Sequence, residues 1–270
     1  MILSSILGFL VGLSLGLTGA GGGILAVPAL VIGVGLSMTS AAPIALIAVG
    51  LAALAGALDG FRRQMVRYKA AAIMSIVGGL LSPIGVWLAQ RLPEFWLMVL
   101  FSLVMCVVAY RMFKQARQVK QGLKPAKDPI DKACMVSADT GKFIWTKRCL
   151  ATMGSIGAVS GLLTGLLGVG GGFVIVPMLK RFTNLNMHSI VATSLFVIAL
   201  VSTITVGNAL QSLSSLPLSV WSFVGFVIAG MAAGRISAPH IAPQYIQMGF
   251  ALVCGLSACI VFINACQHIV

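Results

Sequence analysis

The sequence predicts an all-α polytopic membrane protein whose two homologous halves form an inverted repeat. Three observations carry this prediction: the composition, an internal repeat of glycines at fixed spacing, and the placement of positive charge. Hydrophobic residues make up 59% of the 270-residue chain and charged residues only 9%, with a mean hydropathy of +1.06. Because a soluble domain carries about a quarter charged residues, this composition cannot form a water-soluble surface.

The apolar segments have the length of transmembrane helices. About 20 apolar residues in a helix cross a hydrocarbon core of about 30 Å. The alternating pattern of membrane β-barrel strands is absent from the sequence, so we predict helical spans. The segments cover approximately residues 2–34, 38–58, 70–90, 94–112, 149–179, 187–210, 217–238 and 245–266.

A polar, basic segment separates the two hydrophobic halves. Ten of the eighteen Lys and Arg residues lie between Arg111 and Arg148. We therefore predict a first membrane repeat over 1–113, a basic cytoplasmic linker over 114–147 and a second membrane repeat over 148–270. Basic residues gathered in loops orient membrane proteins, and this explains the net charge of +13 without a nucleic-acid partner.

The two halves are related by a shift of 149 residues. Seven Gly and Pro positions of the first half recur in the second without a gap, which indicates an internal duplication. Gly12, Gly16, Gly19, Gly21, Gly22, Gly23 and Pro28 recur as Gly161, Gly165, Gly168, Gly170, Gly171, Gly172 and Pro177.

The charge distribution predicts the topology of the repeats. Segments 2–34 and 149–179 are too long for one span and contain the glycine runs GAGGG (19–23) and GVGGG (168–172). Each segment is either a long broken crossing or a re-entrant hairpin. Re-entrant hairpins leave only Arg91 of the eighteen basic residues outside, so the positive-inside rule favours them. Six full crossings remain, three in each half, which makes the repeats inverted and places both termini outside.

The glycine runs are the predicted substrate site. Non-helical backbone at membrane depth persists only where protein or a wet cavity covers it. A helix that restarts after each run would point its first N–H groups and its positive dipole end into the break, which suits an anion. The predicted site residues are Thr18, Gly19, Gly21, Gly22, Gly23, Thr164, Gly168, Gly170, Gly171, Gly172 and Asn208.

Other glycines and polar residues receive structural roles. Six glycines recur every four residues on helix faces, a spacing typical of close helix packing: Gly8, Gly12, Gly16, Gly157, Gly161 and Gly165. Asp59 lies near Arg62 and Arg63 at a helix end, which favours an interfacial ion pair over a membrane-buried acid. The pairs Thr193-Ser194 and Ser202-Thr203 are candidates to line a polar path with Asn208.

The sequence lacks the residue combinations and spacings of common catalytic and metal sites. The six cysteines form no CxxC pair and four lie in apolar runs, so a disulfide or metal site receives little weight. No Ser/His/Asp set, carboxylate pair or His/Cys ligand spacing occurs. We therefore predict no enzyme activity, no cofactor and no metal.

The segments GLTGAGGGILAVPAL (16–30) and GLLGVGGGFVIVPML (165–179) resemble the TauE/SafE family of sulfite exporters. The resemblance covers nearly the whole chain, with duplicated halves, a Gly-rich opening to each and a basic central loop. It implies transport of sulfite, organosulfonates or related oxyanions, often outward, across the cytoplasmic (inner) membrane. The family-like contacts would fall on residues 19–23 and 168–172, where Ala20 and Val169 differ between the runs.

The leading hypothesis is therefore an exporter of a small oxyanion embedded in the lipid bilayer. Two alternatives remain open at this point. The same broken helices could form an anion channel, or the chain could be a membrane scaffold in which all the glycines serve packing.

Overall fold

The computed structural model describes residues 2–19, 21–120, 134–135, 143, 145–209, 218–238 and 243–267. The helices over this part of the chain are α1 Ile2–Thr18, α2 Ala26–Val34, α3 Met38–Arg62, α4 Tyr68–Arg91, α5 Glu94–Lys120, α6 Lys147–Leu167, α7 Gly172–Phe182, α8 Met187–Ala209, α9 Leu218–Ser237 and α10 Pro243–Gln267. A short 3₁₀ turn, Gly22–Leu25, precedes α2. The predicted all-α class is confirmed.

Seven of these helices are long and apolar enough to cross a membrane within the described residues. They are α3, α4, α5, α6, α8, α9 and α10. The chain is therefore a multi-pass membrane protein. The sequence predicted six full crossings, and the additional helix is α6, which runs for 21 residues before its glycine break. Its repeat equivalent α1 has 17 residues and is followed by its own break.

The six periodic glycines pack helices of one half against helices of the other, as predicted. A Cβ added to any of them would lie 2.7 Å or less from a backbone carbonyl oxygen of the neighbouring helix. Gly8, Gly12 and Gly16 of α1 meet Phe223, Val227 and Met231 of α9, and Gly157, Gly161 and Gly165 of α6 meet Met74, Gly78 and Ser82 of α4. Residue numbers rise together in both pairs, so each pair runs parallel.

Two further pairs join equivalent helices of the two halves and run antiparallel. In the α3–α8 pair, Gly50 meets Ser202 and Gly60 meets Ala192. In the α5–α10 pair, the Ser102 hydroxyl donates to the carbonyl of Ala258 at 3.0 Å. Met98 shares a cavity lining with Asn264, and Ala109 shares another with Met248, so the numbers run in opposite directions. Every long helix thus packs closely against a helix of the other half, and the halves share one interior.

A disulfide joins Cys134 of the linker to Cys149 of α6, contrary to the low weight given to such a bond from the sequence. Both residues are fully buried. The Cys134 amide also donates to the Phe182 carbonyl at 3.1 Å, which ties this point of the linker to the end of α7. No cysteine motif signals this pair, because Cys134 is brought to α6 by the fold. Cys106, Cys254, Cys259 and Cys266 are free thiols.

Candidate functional site

The two glycine-rich breaks lie in the interior and contact each other. A Cβ on Gly23 would lie 3.0 Å from the carbonyl oxygen of Val169. The Val49 side chain of α3 reaches both breaks, at 3.0 Å from the Gly23 Cβ position and 3.3 Å from that of Gly170. The structure therefore brings together two predicted clusters that are 149 residues apart in the chain.

The first break is capped by the threonine that precedes it. The Thr18 hydroxyl donates to the Ser14 carbonyl at 2.7 Å and accepts the Gly22 N–H at 3.0 Å. The Ile24 N–H donates to the Gly21 carbonyl at 3.2 Å. Thr18 therefore acts inside this break as a cap, with its proton already engaged by its own helix.

Left-handed backbone carries the chain through the second break. Gly168, Gly170 and Gly171 have φ values of 71°, 75° and 66°, a region that L side chains rarely adopt. The amides of Val174 and Ile175 both donate to the Gly171 carbonyl, at 3.1 and 3.2 Å. Gly171 is the residue from which α7 restarts.

The first two amides of α7, at Gly172 and Phe173, make no hydrogen bond to the described part of the chain. Such amides are the ones left without intrahelical partners at any helix start. Both residues are buried. The Thr164 hydroxyl lies beside Gly171, but it donates to the Ser160 carbonyl at 2.7 Å.

Ser202 of α8 adds a hydroxyl that sequence reasoning did not assign to the break. Its Oγ lies 3.9 Å from the Cβ position of Gly170, and the residue is 1% exposed. This Oγ has no hydrogen-bond partner among the described residues. The sequence suggested only that Ser202 could line a polar path, since its approach to Gly170 depends on how α8 packs on the break.

Two further predicted polar residues lie on α8 and α3. Asn208 stands on α8 six residues after Ser202, and its side chain lies outside the described part of the protein. Asp59 forms the predicted ion pair with Arg63, at 3.1 Å, and a second with Arg235 of α9, at 2.9 Å. The described residues contain no cluster of three or more His, Cys, Asp or Glu side chains.

Comparison with known proteins places the chain beside membrane transporters. The family model described as sulfite exporter TauE/SafE matches residues 4–261. A protein named "probable membrane transporter protein" from Xylella fastidiosa (strain Temecula1) is 28% identical over 237 residues, covering 85% of this chain and 80% of that protein. A protein of the same name from strain 9a5c is 27% identical with the same coverage. No solved structure matches the chain.

Proposed function

This chain belongs to the sulfite exporter TauE/SafE family of membrane transporters, and we propose that it exports a small oxyanion, sulfite or an organosulfonate, across the cytoplasmic membrane. The observation that carries the proposal is the meeting of two glycine-lined helix breaks inside the protein. Buried backbone of this kind is where membrane transporters coordinate substrate near the middle of the bilayer.

The chemistry of the breaks favours an anion. Uncapped N–H groups and the positive end of the α7 dipole attract negative charge. The acidic residues of the described part are engaged elsewhere: Asp59 pairs with Arg63 and Arg235, and Glu94 accepts the Met38 N–H. Neither is among the nearest neighbours of the break glycines. The proposed substrate site is the junction of residues 19–23 with residues 168–172.

We further propose that the two repeats have inverted topology, with the basic linker in the cytoplasm. Two features support it. The repeat-equivalent helices α3 and α8 run antiparallel, as do α5 and α10. The same arrangement places all basic residues except Arg91 on the cytoplasmic side, as the positive-inside rule requires.

Electrostatics supplies a driving force for export. Moving one negative charge outward across 100 mV, inside negative, releases about 2.3 kcal/mol. Since 1.4 kcal/mol corresponds to a factor of ten, this potential sustains roughly fifty-fold outward enrichment of a monoanion. Export therefore needs no buried acid to relay protons.

The test is the flux of radiolabelled sulfite in proteoliposomes of the purified protein under an imposed membrane potential. We expect saturable flux that rises when the potential drives anions in the measured direction. Ohmic, non-saturating currents would indicate a channel, and the absence of flux and of binding for sulfite, sulfonates and carboxylates would indicate a scaffold. Either outcome contradicts the proposal.

Two glycine variants connect the flux to the breaks. Gly22→Leu is unsuitable, because its Cβ would collide with the backbone of Leu15 and prevent folding. Gly170→Ala and Gly35→Ala both place alanine at a φ of +75°, so their backbone strain is matched. The new methyl of Gly170→Ala enters the break 3.0 Å from Ile198, whereas that of Gly35→Ala meets nothing within 4 Å. We expect Gly170→Ala alone to reduce flux at least tenfold in folded protein.

A further inference from the structure

We propose that the oxyanion is bound at the second helix break, with the Ser202 hydroxyl as a direct donor, while the first break, which Thr18 caps, has a structural role. The inference rests on the proposed transport function and defines the chemistry of its site. It follows from a difference between two breaks that the repeat makes equivalent by sequence.

The first break is capped from within and covered by an aromatic ring. Thr18 occupies the Gly22 amide, and Gly21 accepts the bond from Ile24. The ring of Phe250 lies 3.5 Å from the Cβ position of Gly21 and covers the turn. The residue equivalent to Ser202 in this half is Ala53, which brings no hydroxyl from α3.

The second break lacks a threonine cap and has an additional hydroxyl. Leu167 occupies the position equivalent to Thr18, so no hydroxyl folds back to cap the restarting helix. The amides of Gly172 and Phe173 make no hydrogen bond within the described residues. Ser202 stands over this break with an unpartnered Oγ. The second break thus has the Ser202 hydroxyl from α8 but no threonine cap. The first break has the Thr18 cap but no hydroxyl from α3.

The Ser202 hydroxyl is buried without a hydrogen-bond partner among the described residues, and this indicates a ligand. A buried hydroxyl without a partner destabilises a folded protein, and such groups call for a specific explanation. The backbone makes room for this one, because Gly50 of α3 faces Ser202 and its Cβ position lies 3.4 Å from the Oγ. Alanine at Ser202 would fill the same space without the penalty.

The donors at this break define the ligand class. One hydroxyl and the amides at the start of an 11-residue helix can all donate hydrogen bonds to one acceptor group. A ligand with several oxygens and a delocalised negative charge, such as sulfite or a sulfonate, satisfies them together. A cation would find no carboxylate among the described residues of the break.

The experiment compares Ser202→Ala with Ser75→Ala in sulfite flux, in equilibrium binding of sulfite and in thermal unfolding. Ser75 is the matched control, because it too is a buried serine whose hydroxyl has no partner among the described residues. It lies on α4, and no α4 atom is among the nearest neighbours of Gly168, Gly170 or Gly171.

We expect Ser202→Ala to raise the KM and the Kd for sulfite about tenfold or more, the usual worth of a hydrogen bond to a charged oxygen. Its melting temperature without ligand should equal or exceed that of the wild type, because an unpaired polar group is removed. Ser75→Ala should share the change in melting temperature and keep the wild-type KM.

Equal KM values for Ser202→Ala and the wild type would overturn the assignment of Ser202 and leave the transport function intact. A wild-type protein that neither moves nor binds any small anion would overturn the transport function itself. The two failures are therefore distinguishable in the same set of measurements.

Discussion

At the scale of single residues, glycine serves two purposes in this protein. The periodic glycines of α1 and α6 allow two helix backbones to touch, and a side chain there would strike a carbonyl oxygen. Gly168, Gly170 and Gly171 instead supply left-handed backbone at a helix break. A substitution in the first group is expected to disturb helix packing, and one in the second group to strain the backbone. On α6, a packing glycine can be compared with a glycine whose added Cβ would contact nothing.

Gly161→Ala should destabilise the protein by about 1–3 kcal/mol, since its methyl group would enter the backbone of Gly78 and force α4 and α6 apart. The measurement is thermal or denaturant unfolding of the detergent-purified protein.

Gly154→Ala is the control on the same helix. Its Cβ would meet nothing within 4 Å, so alanine should leave the stability unchanged or raise it by up to about 1 kcal/mol through helix propensity. Equal losses from both variants would show that α4 and α6 do not pack through these glycines.

At the scale of helices, one arginine joins the ends of α3 and α9. The Arg235 side chain contacts Asp59 through Nε at 2.9 Å and donates to the Gly56 carbonyl through Nη1 at 2.8 Å. Arg63 contacts the same carboxylate, but only from within α3. The side chain of Arg235 is 28% exposed and that of Arg63 is 64% exposed. Solvent therefore screens the Arg63–Asp59 pair more strongly than the Arg235–Asp59 pair.

Arg235→Gln should therefore cost about 1–2 kcal/mol of stability, because it removes an ion pair and a hydrogen bond between two helices. Arg63→Gln, the same change on the same carboxylate, should cost less than about 0.5 kcal/mol. Chemical denaturation of both variants measures the difference. A larger loss of stability from Arg63→Gln would show that Asp59 stabilises α3 itself and not the contact between α3 and α9.

At the scale of the whole molecule, the two halves are interleaved. Helix α1 packs on α9 and α6 packs on α4, so each half completes its packing with helices of the other. The disulfide adds a link from the linker to α6 and α7. This link lies on the side that the charge distribution assigns to the cytoplasm, where thiols are kept reduced.

The proposed inverted topology predicts two results in growing cells. A reporter fused after Val270 should score external, because the inverted arrangement places both termini outside. Cys134 and Cys149 should be alkylated as free thiols after rapid acid quenching, and the bond should form only on oxidation of the purified protein.

A reporter that scores cytoplasmic would contradict the inverted arrangement with external termini. A disulfide fully formed in cells would place the linker outside and contradict its cytoplasmic assignment. Agreement between the two independent readouts distinguishes a wrong topology from a fault of the reporter fusion.

Much of this architecture follows from the sequence because it depends on local or periodic chemistry. Segment length and apolar composition determine that the helices form, and the runs at 19–23 and 168–172 determine where they break. The four-residue glycine spacing predicted close packing, although it did not name the partner helix. The ion pair of Asp59 with Arg63 was predictable because its members are four residues apart.

The sequence by itself determined the membrane class, the duplication, the family and the positions of the two breaks, since each is recorded in composition or spacing along the chain. Only the tertiary structure decided which groups meet at those breaks. The approach of Ser202 to Gly170, of Phe250 to Gly21 and of Cys134 to Cys149 depends on helix packing across the two halves. Contacts between residues distant in the chain produce no periodic pattern in the sequence. The two breaks therefore look alike in the sequence although their surroundings differ.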